Sequence, residues 1–426
     1  MTFFANAVVP KPAPLGVTSA YTTATLLLPT STPSTMAAAT PVLGWNSWNF
    51  FRSALNETVV KNTADLLIST GLAAKGYTFV NMDDIWSVRD PTTHELIAIP
   101  AKFPSGLAGV ASYVHSKNLK FGAYIDVGHL TCGKCPGTWG YEKQDADALA
   151  KAGVDFVKSD SCFTDPHNVK LQPANGAACF AKYQVFSHML KATGRDIIHS
   201  IKGPCGHAPG TLNCTSDDPA NPTPCCSPGD ASSVANFRRA AGDVKDNWAS
   251  VLKVLDSAAE VVQYSRPGFF ADLDILEIGN GGLTEAEEKS MMTLWCAAKS
   301  PLLLGNDLST MSKRTLAIVG NEALIAVNQD PTGKAALRVV NTEALQVWTG
   351  PLSQKQVVVV ILNLQDQVAE VAVTFKELGL STTVPIGTAV GATNLWSGNH
   401  TQFFSGSKVH GHAEAHGVAA FTLTLP

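Results

Sequence analysis

Residues 156–162 read Phe-Val-Lys-Ser-Asp-Ser-Cys, and they carry the chain's most suggestive chemistry. Lys158 and Asp160 stand two positions apart, so in a strand both side chains point to one face. The apolar approach through Val154, Phe156 and Val157 marks that strand as buried. Opposite charges are costly to desolvate there unless they have a task. A carboxylate at a strand end, held ionised by a lysine on the same face, is what a covalent nucleophile requires. A purely structural ion pair is the plainer use of the same two residues. A nucleophile of this kind works with a proton donor, and Asp243 is the candidate, with Gly242 permitting close backbone approach and Arg239 four residues upstream. Its alternative role is the N-cap of the helical stretch that follows. Two carboxylates beside aromatic walls (Trp45, Trp86, Tyr124, Phe269) fit glycoside hydrolysis, in which one acid protonates the leaving oxygen and the other attacks or assists. Sugar C–H faces stack on rings, while Asp83, Asp84 and Lys158 offer hydrogen bonds to hydroxyls.

The elements that must position these residues show a clear rhythm. From 42 to about 333, short strand-like runs alternate with amphipathic helical stretches. The strands fall at 42–48, 77–84, 120–128, 154–160, 196–201, 237–243, 268–276 and 301–307. Eight alternations over this length predict an α/β fold, a (β/α)8 TIM barrel, ahead of a doubly wound sheet. Nearly every run ends in polar or aromatic residues: Trp48, Asp83, Asp84, Asp126, Asp160, Ser200, Asp243, Asp272, Asp274, Asn306, Asp307. In a barrel those ends converge on one rim, where barrel enzymes keep their sites. From 334 to 426 the pattern becomes period-2 runs between Gly, Pro and Asn turns, which predicts a C-terminal antiparallel β-sandwich. Residues 1–40 read as a disordered leader, carrying either a poorly formed signal or a plain flexible tail. The three divisions expected are therefore 1–40, 41–333 and 334–426.

Composition narrows the class. The 426 residues carry 31 Lys and Arg against 35 acids, a net charge of −4 with no basic run, so no nucleic acid is expected as a partner. The longest strongly apolar run, Val357 to Leu362, is far short of the ~20 residues that span a bilayer, so no membrane is expected either. Nine cysteines and three Asn-x-Ser/Thr sequons, at Asn56, Asn213 and Asn399, together indicate an oxidising compartment. A secreted, lysosomal or vacuolar address follows, with disulfides in place of a metal site and Cys296 as a buried free thiol. Between 203 and 235 lies a Pro/Gly/Cys-rich loop on the presumed rim. There Cys205 is expected to pair with Cys225 or Cys226, and Cys214 with the other.

The ordered motifs GWNSWNFF, VNMDDIW, GAYIDVG, GVDFVKSDSC, GDVKDNW, SPLLLGNDL and AVNQDP resemble those of the family-27 glycoside hydrolases, the α-galactosidases and α-N-acetylgalactosaminidases. The likeness runs from about 42 to 337, and the C-terminal sandwich agrees in kind. The resemblance implies that Asp160 is the nucleophile and Asp243 the acid/base. It also implies that Asp83 and Asp84 grip the sugar's 4- and 6-hydroxyls. Trp45, Tyr124, Lys158, Arg239 and Asp274 match pocket positions, and Cys162 is expected to bridge to Cys132. Retention of configuration without cofactor or metal is implied, with the two carboxyls roughly 5 to 5.5 Å apart. Asp243 should carry the higher pKa of the two, giving an acidic optimum.

The chain departs from the family at 200–206, Ser-Ile-Lys-Gly-Pro-Cys-Gly, where Lys202 stands in place of a cysteine and Gly203-Pro204 in place of an acid or amide and a tryptophan. This loop meets the sugar's 2-substituent in the family, so Lys202 joins the substrate-binding set and the glycone is left open. Terminal α-galactose comes first, since Asp83 and Asp84 are intact. α-N-acetylgalactosamine and β-L-arabinopyranose are the alternatives. Ile85 stands where many relatives have a disulfide cysteine. Two other classes remain: a metal-dependent barrel lyase or isomerase with Asp84, Asp160 and Asp274 around Mg²⁺, and an inactive sugar-binding module. A carbohydrate is the expected partner, and homodimer formation stays open.

Overall fold

The computed structural model describes residues 38–164, 176–202 and 231–426. Eight parallel strands form one sheet: β1 (Leu43–Asn46), β2 (Tyr77–Asn81), β3 (Lys120–Asp126), β4 (Phe156–Asp160), β5 (Ile198–Ile201), β6 (Phe237–Arg239), β7 (Phe270–Asp272) and β8 (Leu302–Leu304). β1 pairs with both β2 and β8, and Leu276, just past β7, bridges in parallel to Leu304, so the sheet closes on itself. Helices α1 (Glu57–Ser69), α2 (Gly106–Ser116), α3 (Glu142–Ala152), α4 (Gly176–Ala192), α5 (Trp248–Val261) and α6 (Glu285–Ala297) connect successive strands, and α7 (Lys313–Val319) and α8 (Glu322–Asn328) follow the last. This is the predicted (β/α)8 barrel.

Local chemistry starts the helices. Asn56 accepts the Val59 N–H at the head of α1, which buries Val60, Ala64 and Leu67 at helical spacing. α5 opens at Asn247, which accepts the Ser250 N–H. Asp243 is therefore not the N-cap of this helix.

Period-2 alternation layers the barrel interior. Phe156, Phe237 and Phe270 occupy the lower ends of β4, β6 and β7, with Val42 and Leu303 beside them in one cluster. Their rings pack at 6.2 Å (Phe156–Phe237) and 6.1 Å (Phe237–Phe270). Each such buried ring contributes roughly 1.5–3 kcal/mol. Two residues further along, the same faces carry Lys158, Arg239 and Asp272, and two further still Asp160 and Asp274. A floor of aromatic rings thus supports a charged upper layer at the carboxyl ends of the strands. Gly128 lets the chain after β3 approach the chain after β4, since a Cβ there would lie 1.9 Å from the Cys162 carbonyl.

Eight further strands build the sandwich: β9 (Leu337–Asn341), β10 (Leu345–Pro351), β11 (Gln356–Asn363), β12 (Ala369–Thr374), β13 (Ala389–Asn394), β14 (His400–Phe404), β15 (Lys408–Ala413) and β16 (Val418–Thr424). Six form an antiparallel sheet in the order β9-β10-β11-β16-β13-β14, and β12 pairs with β15. β11 is the apolar run noted in the sequence, and its two faces explain it. Val357, Val359 and Ile361 face the sandwich core, whereas Val358, Val360 and Leu362 belong to the core shared with the barrel helices. Trp396 donates to Thr293 and Ser290 to the His416 carbonyl, fixing the sandwich against α6.

Candidate active site

One side of the charged layer is built on β2. Lys158 donates to Asp83 at 2.7 Å, and Asn46 adds a bond of 2.9 Å to the same oxygen. Burial acts to strip the charge from Lys158, but Asp83 more than offsets it and the ammonium is held above its ordinary range. Lys158 is thus the counterion of Asp83, which is 2% exposed. This corrects the expectation that it pairs with Asp160: buried Asp83, next to a second buried acid, is the carboxylate with the greater need of a cation. Asp84 accepts the Ile85 and Gly133 N–H groups, both at 2.6 Å, while burial pushes its carboxyl up. Ile85, next to Asp84 in the chain, sits at φ 68°, an uncommon place for a β-branched residue.

The other side brings β4, β5 and β6 together. Lys202 Nζ lies 2.8 Å from Asp243 Oδ1 and 3.4 Å from Asp160 Oδ2. These two legs sum to 6.2 Å, the largest separation those carboxylate oxygens can have. Burial opposes the charge on Lys202, but Asp160 and Asp243 outweigh it and raise its pKa. Arg239 bonds Asp274 and the Gly242 carbonyl, and approaches Asp243 at 3.4 Å. Burial would push the Asp243 carboxyl up, yet Arg239 and Lys202 together hold it well below the usual range. Asp243 is thus lowered where the expected proton-donor role asks for the higher pKa of the pair, because two cations overcome desolvation.

Asp274 adopts φ 84° and has both oxygens engaged, one by the Ile275 N–H and the other by Arg239 and the Val244 N–H. It fixes the start of the segment bearing Asp243. Asp126, fully buried, accepts the Gly128 and Cys162 N–H groups at 2.7 and 2.8 Å. Burial, reinforced by Asp160, pushes its carboxyl up. Cys132 and Cys162 form a disulfide that pins the loop after β3 to the end of β4. Asp126, Cys132, Asp160 and Cys162 gather as potential metal ligands, but both sulfurs are spent in that bond. A cleft of about 790 Å³ lies over these groups. Two close carboxylates, one ionised donor-acceptor wall and a cation between the acids make a site for breaking a bond to a polyhydroxylated ring.

Residues 40–330 match the family model described as alpha galactosidase A, and residues 342–423 that of the alpha-galactosidase C-terminal β-sandwich domain. The chain belongs to the alpha-galactosidase family. It is 37% identical to alpha-galactosidase 2 of Arabidopsis thaliana over 390 residues, covering 91% of this chain and 90% of that one. With the alpha-galactosidase of Cyamopsis tetragonoloba it shares 37% over 387 residues, 90% and 86% of the two chains. Among solved structures, alpha-galactosidase I of Mortierella vinacea superposes with a TM-score of 0.81 at 30% identity, covering 91% of this chain and 97% of that one. The recognised family, glycoside hydrolase family 27, is thereby established for this chain.

Within this alpha-galactosidase-family barrel, Asp83, Asp84, Tyr124, Lys158, Asp160, Lys202, Arg239, Asp243 and Asp274 all line the one cleft. Trp45 does not reach it. Val42, Gly44 and Asn46 take the inward positions of β1, so Trp45 faces the helices, fully buried, with its indole N–H on the Asn306 carbonyl at 2.9 Å. Phe269 precedes inward-facing Phe270 and is likewise core, and Trp86 is buried with its N–H on the Tyr124 carbonyl. Among the described residues, the aromatic rings that do line the cleft are Trp48, Phe50 and Tyr124. Sequence reading missed Asn49, Asp246, Glu277 and Asn280, which line the same cleft. Burial, with Asp246 and Asp274 adding to it, pushes Glu277 up to about 7. Cys296 is a buried free thiol as expected, and Cys135 is also free. Asn56 caps α1 and Asn399 is exposed. Asn213, Cys205, Cys214, Cys225 and Cys226 lie outside the described residues.

Proposed function

We propose that this chain releases terminal α-linked galactose from oligosaccharides or glycoconjugates by a double displacement. Asp160 attacks the anomeric carbon as the C1–O bond breaks, and Asp243 gives its proton to the departing oxygen. Water then adds to C1, giving up a proton to Asp243, as the Asp160 ester bond breaks. The observation that carries this reading is the 6.2 Å ceiling on the Asp160–Asp243 oxygen separation, set by the two Lys202 legs. Inverting enzymes need ~6.5–9.5 Å to admit a water, whereas retaining ones hold their acids ~5–5.5 Å apart. Asp83 and Asp84, held by Asn46, Lys158 and the Gly133 N–H, supply oriented acceptors for hydroxyls at the far side of the ring. The names of the relatives support galactose as the glycone.

Glycosylation needs Asp243 protonated, and the cations around it keep that form scarce near neutrality, so an acidic optimum follows. The Cys132–Cys162 disulfide supports a secreted or lysosomal/vacuolar location, where such bonds persist. Proton NMR of the first sugar formed from 4-nitrophenyl α-galactoside tests the mechanism. α-Galactose as the initial product is expected, and β-galactose would overturn the double displacement. Running the α-N-acetylgalactosaminide and β-L-arabinopyranoside in parallel decides the glycone.

A further inference from the structure

The turn between β15 and β16 places His416 where three other segments meet. Its Nδ1 lies 2.7 Å from Glu287 Oε1 on α6, and its Nε2 lies 2.9 Å from Asp366 Oδ1 in the turn between β11 and β12. The ring stacks on Trp248, the first residue of α5, with centroids 5.2 Å apart and planes 18° from parallel. We infer that His416 is a positioning residue for the reaction: from the sandwich it holds the heads of α5 and α6, and so fixes the loop that carries Asp243. The inference rests on the hydrolase reading above, in which Asp243 is the proton donor.

The imidazole is itself fixed on several sides. Carboxylates accept hydrogen bonds, so the ring bonds both of its acids when each nitrogen carries a proton. Its backbone is also tied, the His416 N–H donating to the Gln365 carbonyl at 3.3 Å and the His416 carbonyl accepting from Ser290 Oγ at 2.6 Å. The residue adopts φ 58°, a conformation uncommon outside glycine that persists where the surroundings over-determine it. His416 belongs to the turn and not to the apolar sandwich core. The sandwich therefore reaches the barrel loops here through one rigid ring.

What this ring holds leads to the acid. Trp248 follows Asp243 by five residues, and Asp243, Val244, Lys245 and Asp246 all line the cleft in a stretch with neither helix nor strand. Asp274 and Arg239 anchor the start of that stretch. Its far end is anchored where Asn247 caps α5 and Trp248 meets His416. Glu287 holds the second loop, taking the Thr284 N–H on one oxygen in the capping box of α6 and the His416 ring on the other. Thr284 ends the segment that brings Glu277 and Asn280 to the cleft, and Gly282 of that segment donates to Asp246 at 2.7 Å. The two loops are thus tied to each other and, at their helical ends, to one imidazole. The Asp243 side chain is 54% exposed, so its loop and not close packing must place it. Asp160, by contrast, is buried at the end of β4, two residues before the disulfide-bonded Cys162. Loosening His416 therefore falls on the acid and spares the nucleophile.

The test uses His416→Ala, which removes every contact of the ring, and His416→Phe, which keeps a ring for Trp248 and loses both carboxylate bonds. kcat/KM is measured on methyl α-galactoside, whose leaving group needs a proton, and on 4-nitrophenyl α-galactoside, whose leaving group does not. In His416→Ala the first should fall about 10-fold, short of the ~10²-fold that a 1 Å misplacement can cost, and the second should change little. A merely structural role would lower both alike, in proportion to the folded fraction that thermal melting measures. Hydrogen–deuterium exchange adds a readout without turnover. The amides of 244–248 and 279–284 should exchange faster in His416→Ala, and His416→Phe should restore slow exchange at 244–248 alone. Equal losses on the two substrates in folded His416→Ala, no loss on either, or unchanged exchange in both segments overturns the inference. A parent protein inactive on both galactosides overturns the hydrolase reading alone, since the exchange rates still decide whether His416 holds the two loops.

Discussion

The barrel rim and the sandwich core are both built on strand alternation, yet they use the inward positions in opposite ways. In the sandwich, Val357, Val359, Ile361, Val371, Phe421 and Leu423 keep every layer apolar. Its buried polar side chains, Gln346, Thr349, Asn363 and Ser405, carry no charge. In the barrel, the inward positions change from phenylalanine to Lys158, Arg239 and Asp272 and then to Asp160 and Asp274 within four residues. Buried polar atoms lacking a hydrogen-bond partner follow the same division. Among the described residues, Thr349 is the sandwich's single example, whereas Asn49, Asn81, Arg239, Asp246, Asn280 and Asn306 contribute to the barrel's. Buried polar groups without partners cost stability, so the rim holds a reactive arrangement that the surrounding core must sustain.

Four substitutions would break or sharpen that contrast. Asp160→Ala should lower kcat/KM on the order of 10⁴-fold or more, with azide restoring turnover to a product of inverted configuration. Its melting temperature should not fall, because Asp126 loses the like charge that Asp160 presents to it. Substantial residual activity without azide would remove Asp160 from the mechanism. Asp243→Ala should cost about 10²- to 10⁴-fold on natural galactosides and far less at the glycosylation step of 4-nitrophenyl substrates, whose leaving group needs no proton. Equal losses on both would speak against an acid role. Ile361→Ala, in the fully buried sandwich layer, should do the reverse: roughly 2–5 kcal/mol of stability lost in urea titration, with kcat/KM per folded molecule unchanged. A loss of activity at full folding would show that the sandwich bears on the cleft.

The contrast also explains what the sequence disclosed. Alternation and run lengths sufficed for the barrel, the sandwich and the strand-end acids, because these depend on residues near in the chain. The partners of those acids depend on which strands become neighbours. Lys158 reaches Asp83, just past β2, instead of Asp160 two residues away, and the cation beside Asp160 comes from Lys202, just past β5. The low Asp243 pKa arises, against burial, from Arg239 and then from Lys202, 41 positions earlier in the numbering. The placing of Trp45 turned on a single step of register, which exchanges the two faces of a strand. Counting by twos from inward Val42 through Gly44 puts Asn46, not Trp45, on the inner face. Glu277, Asp246 and Asn280 stand on loops, where no periodicity marks direction.

Glu277 offers the smallest and most direct measure of the difference between the two regions. It is 5% exposed, takes a 2.5 Å bond from Asn280, and burial lifts its pKa from 4.5 to about 7. Between those values the folded chain retains a proton that the unfolded chain has released. The unfolded state therefore binds fewer protons, and stability falls as pH rises through this window. Glu277→Gln keeps an acceptor for Asn280 and has no proton to lose. Relative to its own stability at pH 4.5, the variant at pH 7.5 should hold on the order of 1–3 kcal/mol more than the parent does. Urea titrations at the two pH values measure this directly. Identical pH slopes would mean that Glu277 is already solvated and charged in the folded cleft, and the rim would then lose one of the groups that separate it from the uncharged sandwich core.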